Sequence, residues 1–196
     1  MQQQTFTTRD GRRLTLRPLC AEDASLLQAF FSGLSAASRR CRFHTALNGI
    51  SARQAERLSR IDGRREVAFV ATTPGALVVA EARYCIAADG RHAEFAIAVG
   101  DNWTGLGLAR QLMALLVASA RRAGLRALHG EVLAHNQRML ALMQRCGFVL
   151  GTHPQDSTLL RAEFDLAAAE ESSGGWWAAL AFLLPARGAG QAGRAA

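Results

Sequence analysis

The sequence predicts an α/β domain of the α+β kind, built on a mixed, mostly antiparallel sheet of six to seven strands flanked by about four helices. Three observations predict it. Apolar runs of strand length crowd into residues 67–99 with turn signals between them, further runs of the same length close the chain, and the intervening segments carry apolar residues at helical spacing. With 196 residues, 49% of them hydrophobic and 20% charged, the chain has the composition of one ordinary globular domain, which excludes collagen-like, coiled-coil and strongly disordered classes.

Taken in order, Leu14, Leu16 and Leu19 are interleaved with Thr15 and Arg17, as on a strand with one buried face, and Pro18 puts that strand at an edge or an end. Residues 21–31 place Leu26, Leu27, Phe30 and Phe31 on one helical stripe, with Glu22 and Asp23 in the first turn, where the helix dipole favours anions. Residues 35–48 read as irregular and Arg-rich. Ser51 with Gln54 three positions on forms a capping box for a second helix through Arg60. Residues 67–71 and 76–85, joined through Pro74-Gly75, and residues 94–99, reached through Asp89-Gly90, read as three consecutive antiparallel strands. Residues 107–123 then carry Leu108, Leu112, Leu115, Leu116 and Ala120 on one stripe, stopped by Gly124. Residues 127–133 read as a strand and Asn136 as the cap of a helix running to Arg145. Cys146-Gly147-Phe148 is its stop, and two strands follow near residues 148–151 and 158–165.

This order divides the chain into an N-terminal extension (1–13), a domain (14–166) and an Ala/Gly-rich C-terminal tail (167–196). The apolar segment 176–185 within the tail is expected to dock on the domain or on a second copy, which leaves a homodimer open. It is far shorter than the roughly 20 residues a bilayer requires, and no apolar leader stands at the N-terminus, so a cytoplasmic protein without membrane contact is expected. All 23 basic residues are Arg and face 16 acidic ones. They are scattered and no reading motif accompanies them, so the field favours anionic ligands in general and nucleic acid is not expected. Cys20, Cys41, Cys85 and Cys146 lack CxxC or zinc-ligand spacing, so reduced, mostly packed thiols and no metal are expected.

Chemistry concentrates in residues 94–110. A strand, Glu94-Phe95-Ala96-Ile97-Ala98-Val99, runs through a turn into Thr104-Gly105-Leu106-Gly107-Leu108-Ala109, where the long helix begins. Unpaired N–H groups at a positive helix terminus, approached through residues without side chains, form an anion site suited to a pyrophosphate, and Arg110 can add a charge-assisted bond. Close packing of a helix start on a strand explains Gly105 and Gly107 equally well. A Rossmann site is disfavoured because the preceding strand belongs to a hairpin and the spacing is not GxGxxG, and a Walker A loop requires a Lys that the chain lacks.

The arrangement resembles the GNAT acetyltransferase superfamily, whose acyl-CoA loop reads Gln/Arg-x-x-Gly-x-Gly/Ala after the fourth strand. Residues 104–109 occupy that loop, with Thr104 where the family usually has Gln or Arg, and the likeness extends over about residues 14–166. In detail the chain is similar to the GNAT domains of bacterial Pat-type protein lysine acetyltransferases, through Leu16-Arg17-Pro18-Leu19, Glu22-Asp23-Ala24, Phe30-Phe31, Leu34-Ser35, Ser38-Arg39, Arg42-Phe43 and Ala93-Glu94-Phe95-Ala96. The resemblance implies acetyl-CoA as cosubstrate and transfer of acetyl to a primary amine, of protein lysine or a small molecule, by direct attack in a ternary complex. A catalytically silent acyl-CoA sensor or scaffold is the alternative. It also implies that the main chain at Ile97, Ala98 and Val99 binds the pantetheine arm, that the Val99 N–H polarises the thioester, and that Asn136 touches the cofactor. Such an oxyanion donor is worth about 3 to 4 kcal/mol. As a plain N-cap, Asn136 would contribute about 1 kcal/mol.

The attacking amine must be neutral, and for a lysine-like amine deprotonation at pH 7 costs about 4 to 5 kcal/mol, so a carboxylate base is useful. Glu94 is the candidate. It interrupts an apolar strand, shares a face with the small Ala96 and Ala98, and is expected to be buried. Glu131, on the adjacent strand, is the second candidate, as base, relay or ion-pair partner. Many relatives in the superfamily carry a Tyr four residues ahead of the glycine of Gly147-Phe148, and here that position is Met143. The only tyrosine, Tyr84, reads as core. Cys146 as an acyl-enzyme nucleophile and His129, His135 and His153 as assisting groups are weaker readings. Residues 21–60 should wall the acceptor cleft, so Arg39, Arg40, Arg42 and His44 suggest acidic features on the acceptor.

Overall fold

The computed structural model describes residues 3–168. Eight strands form one sheet, β1 (Gln4–Thr7), β2 (Arg13–Pro18), β3 (Glu66–Thr72), β4 (Val78–Ile86), β5 (His92–Val99), β6 (Ala127–Leu133), β7 (Val149–Thr152) and β8 (Leu159–Asp165). Their spatial order is β1-β2-β3-β4-β5-β6-β8-β7, with every neighbouring pair antiparallel except β5 and β6. Helices α1 (Ala24–Gly33), α2 (Ala36–Phe43) and α3 (Ala52–Ser59) follow β2, α4 (Leu108–Arg122) follows β5, and α5 (Gln137–Arg145) follows β6. The apolar segment expected to dock, 176–185, lies outside the described residues.

Two cores form because each face of the sheet is apolar where a helix covers it. Leu112, Leu116 and Met143 of α4 and α5 pack with Phe69, Tyr84 and Phe95 on one face. Leu27, Phe31 and Ala55 of α1 and α3 pack with Ala68, Val70 and Ala98 on the other. Tyr84 is buried, as its strand position predicts, with its hydroxyl 3.2 Å from Ser119 Oγ. Among the described residues no helix is long and apolar enough to cross a membrane.

Two elements exceed the sequence reading, which counts six to seven strands and about four helices where the structure has eight and five. Residues of the N-terminal extension form β1, which pairs with β2 from Gln4↔Leu16 to Thr7↔Arg13 and leaves β2 inside the sheet. The segment read as irregular contains α2, whose ends are fixed by tertiary partners in place of an apolar stripe. Ser35 caps it by accepting from the Ser38 N–H, and Asp101 accepts from Ser35 N, Ser35 Oγ and Ser38 Oγ at 2.8, 2.9 and 2.6 Å. At its C-terminal end Phe43 stacks on Phe31, 5.1 Å between centroids, before His44 turns into the left-handed region at φ 56°.

Candidate active site

The parallel strands β5 and β6 pair only from His92↔Ala127 to Glu94↔His129. Beyond that point β5 stays with β4 to Val99 and β6 stays with β8 to Leu133, so the two strands part into a wedge-shaped gap. At its apex the Phe95 ring lies over Gly130, where an added Cβ would meet ring carbons at 2.8 Å. Phe148 meets Phe95 edge-to-face at 5.2 Å between centroids and Phe164 lies tilted against Phe148 at 5.1 Å, so an aromatic row holds the apex. The antiparallel ladder settles where the β5 main chain points. Gly100 N donates to Val79 O at 2.9 Å and Val99 stands opposite Ala80, so bonding to β4 falls on even-numbered residues. Ile97 and Val99 therefore turn their N–H and C=O groups to the gap, while Ala98, one of the three expected cofactor contacts, turns its own to β4.

Below the gap lies the start of α4. Gly105 and Gly107 have φ of 79° and 90°, left-handed values that favour glycine, and a Cβ on Gly105 would meet open space. Among the described residues no N–H of residues 105–109 donates to the protein, as expected for a helix start whose first donors lack intrahelical partners. The Thr104 hydroxyl donates to Asp101 O at 3.0 Å, so this residue braces its own turn. The β1–β2 hairpin approaches from the side. Arg9 N donates to Leu106 O at 3.4 Å, and Arg9 Nε would lie 4.0 Å from a Cβ on Gly107. Leu108 is buried beneath the loop, and Ala109 is half-buried and packs against the core. Arg110 is exposed and close enough to Cys146 to be felt by its thiol. Asn136 caps α5 as its spacing predicts, accepting from Met139 N at 3.2 Å.

Above the sheet, Glu94 shares a face with Cys85 and Ala96, its neighbours across and along the strands. It is exposed, so the burial expected for it is absent, and no cation stands within 4 Å of it among the described residues. The buried carboxylate is one that sequence reasoning missed. Glu81, fully buried on the same face, accepts from Arg83 Nε at 2.5 Å and lies 3.5 Å from Arg42 Nη2. Burial pushes the Arg42 guanidinium down from its ordinary value, opposed by the charge of Glu81 and, more weakly, by that of Glu94. A cavity of about 360 Å³ opens here between α2, α3 and the β4–β5 face, lined by Arg42, Phe43, Arg57, Arg83 and Glu94 among others. A Glu within an otherwise apolar strand, two residues from an Arg, was the available signal for Glu81.

Glu131 faces a different set of groups. His153 Nδ1 accepts from Gln155 N and Asp156 N at 3.3 and 3.0 Å, so its proton resides on Nε2, which points at Glu131 Oε1 from 3.1 Å. His44 Nδ1 lies 3.7 Å from the other oxygen. Arg39 turns back on its own segment, donating to the carbonyls of Leu47, Ser32 and Leu34, and so is not available to an acceptor. Cys146 is fully buried and burial pushes its thiol up to about 11, the opposite of the exposed, activated thiolate that an acyl-enzyme nucleophile requires. Cys20 and Cys85 are exposed, contrary to the expectation of mostly packed thiols. Among the described residues no group of three or more His, Cys, Asp or Glu side chains is placed to hold a metal ion.

A mixed sheet parted between its two parallel strands, above a helix that begins on glycines, defines an acyltransferase fold. The chain belongs to the GNAT acetyltransferase family, whose Acetyltransferase (GNAT) domain matches residues 13–149. It is 36% identical over 152 residues to Acetyltransferase PA5475 of Pseudomonas aeruginosa, covering 76% of this chain and 82% of that protein. The GNAT domain of S. lividans PAT superposes with a TM-score of 0.77 at 30% identity, covering 83% of this chain and 96% of that one. The spermidine N-acetyltransferase of Vibrio cholerae, solved with CoA and spermine, shares the fold at a TM-score of 0.65 and 21% identity, over 79% of this chain and 96% of its own.

Proposed function

We propose that this acetyltransferase moves the acetyl group of acetyl-CoA to a primary amine by direct attack in a ternary complex. The observation that carries the proposal is the unpaired main chain along one continuous path. The N–H groups of residues 105–109 donate to nothing within the described protein, and Ile97 and Val99 aim their peptide groups into the gap directly above. The first set suits the diphosphate at the positive end of α4. The second suits the amides of the pantetheine arm, with the Val99 N–H polarising the thioester carbonyl, a contribution of about 3 to 4 kcal/mol. Arg110, exposed in the first turn of α4, and the side-chain amide of Asn136, at the cap of α5, are the side-chain donors of this scheme.

Glu94 is the general base of this scheme. Its strand neighbours Ala96 and Ala98 are small, it lies at the closed end of the gap, and it lines the cavity through which an acceptor reaches the thioester. Glu131, held by His153, stands on the other strand of the gap as a relay. The leaving thiolate needs no partner at Met143, because a CoA thiol has the acidity of an ordinary thiol. Titration calorimetry with acetyl-CoA and release of free thiol in the presence of amines test the scheme. Saturable heat and amine-dependent thiol release are expected, and absence of saturable heat at millimolar acetyl-CoA overturns it.

A further inference from the structure

The cavity beside Glu94 has a polar account that does not close. A guanidinium offers five N–H donors and no acceptor. Arg83 places its donors on Glu81 and on Leu58 O, at 2.5 and 3.1 Å. Arg42, whose side chain is only 10% exposed, has a single acceptor among the described residues, Glu81 Oε2 at 3.5 Å, and its Nε is buried without any. Its remaining support comes from the faces of Phe43 and Phe31, 5.1 and 5.7 Å away. The exposed Arg57 guanidinium, at the rim, has no hydrogen bond or ion pair among the described residues. Three guanidinium groups thus face two carboxylates, Glu81 and Glu94, which leaves one positive charge in surplus around a cavity of about 360 Å³.

Leaving a desolvated cation short of acceptors is costly, and the group that best matches a guanidinium fork is a carboxylate bound through two parallel bonds. A surplus of one charge fits a monoanion better than a phosphate. Apart from Gln54, the other walls, Phe43, Leu47, Ile50 and Leu58 among them, offer no further polar side-chain oxygen or nitrogen, and the volume lies at the small end of ligand cavities. We propose that the acceptor is a small amino acid with an apolar side chain, its carboxylate held by Arg42 with Arg57 at the rim and its amine presented to Glu94. This rests on the reading of Glu94 as the base of an acetyl-CoA-dependent transfer.

The test is thiol release by the full chain at saturating acetyl-CoA, with leucine, methionine and phenylalanine each compared with its own decarboxylated amine, and with an end-capped lysine peptide. At least one amino acid is expected to exceed its decarboxylated partner in kcat/KM by about 10-fold to 100-fold, the range of a hydrogen bond to a charged group. That ratio should fall toward one in R57Q, which alters an exposed position. It should also fall in R42Q, which leaves Glu81 paired with Arg83 and so strands no buried charge. Equal kcat/KM within every pair, or a capped lysine peptide preferred over all amino acids, overturns the proposal and leaves the transferase reading standing. Absence of thiol release with every acceptor overturns both.

Discussion

Replacing Gly130 by Ala places a methyl group where the Phe95 ring already lies. The added carbon would sit 2.8 Å from two ring carbons and 3.0 Å from a third, well inside the roughly 3.5 to 4.0 Å of an ordinary carbon contact. The ring is 5% exposed and backed by Phe148 at 5.2 Å, so it has nowhere open to turn. Overpacking of this kind costs about 1 to 3 kcal/mol. Gly130 does not adopt a left-handed φ, so alanine recovers about 0.5 to 1 kcal/mol by restricting the unfolded chain. The net expectation is a loss centred on about 1 kcal/mol, read in urea as a lower midpoint with an unchanged slope. In a Phe95→Leu background the cost of Gly130→Ala should shrink below about 0.5 kcal/mol, because the clash is then relieved. A variant as stable as the natural protein, or a cost identical in both backgrounds, would refute the picture of Phe95 as the wedge at the apex.

Glu94→Gln should lower kcat about 100-fold while the heat of acetyl-CoA binding stays the same, and undiminished turnover would move the base elsewhere. Gly105→Ala has room for its methyl but not for φ 79°, a strain of about 1 kcal/mol that the free loop escapes by leaving this conformation; restoring it on binding should weaken acetyl-CoA about fivefold by calorimetry. Unchanged affinity would detach that loop from the diphosphate. Asp23 accepts two bonds from Arg17 at 2.6 and 2.7 Å and one from Cys20 N at 2.9 Å. Burial pushes its carboxyl up, but these donors outweigh it and hold the group below its ordinary value. Its contribution is therefore complete above about pH 4, the unfolded value, and fades as pH falls below it. Urea midpoints of the natural chain and of Asp23→Asn should differ at pH 7 and converge toward pH 3, and a gap independent of pH would contradict the assignment.

Elements whose ends or stripes are written locally were legible in the sequence. Asn136 and Ser51 cap α5 and α3 through contacts three residues away, and Gly124 and Gly147 stop α4 and α5 in left-handed conformations. The stripe from Leu108 to Ala120 is buried as its period requires. What escaped depends on distant partners. In β1 only Phe6 is apolar, so its pairing with β2 carries no alternation to detect, although Asp10-Gly11 is a hairpin signal of the kind used elsewhere in the chain. Helix α2 is charged on most of its surface and holds through Asp101, 66 residues beyond Ser35. In the site, the loop of residues 104–109 was legible because its backbone demands glycine. The partnership of Arg42 with Glu81 joins positions 39 residues apart, and no spacing rule reaches it. Glu94 shows the limit of the strand pattern, since an apolar context along the chain did not translate into a covered side chain.

The short seam between β5 and β6 also bears on how the molecule responds to what it carries. Five strands stand on one side and three on the other, and among the described residues they are joined by three residue pairs and by the bond from Arg126 N to Arg91 O at 2.7 Å just before them. Under the proposed function, a pantetheine arm laid along the gap would supply the missing rungs and act as a keystone of the sheet. Occupancy would then be felt as rigidity throughout the molecule, and at a concentration 100 times the dissociation constant it adds about 2.7 kcal/mol of resistance to unfolding.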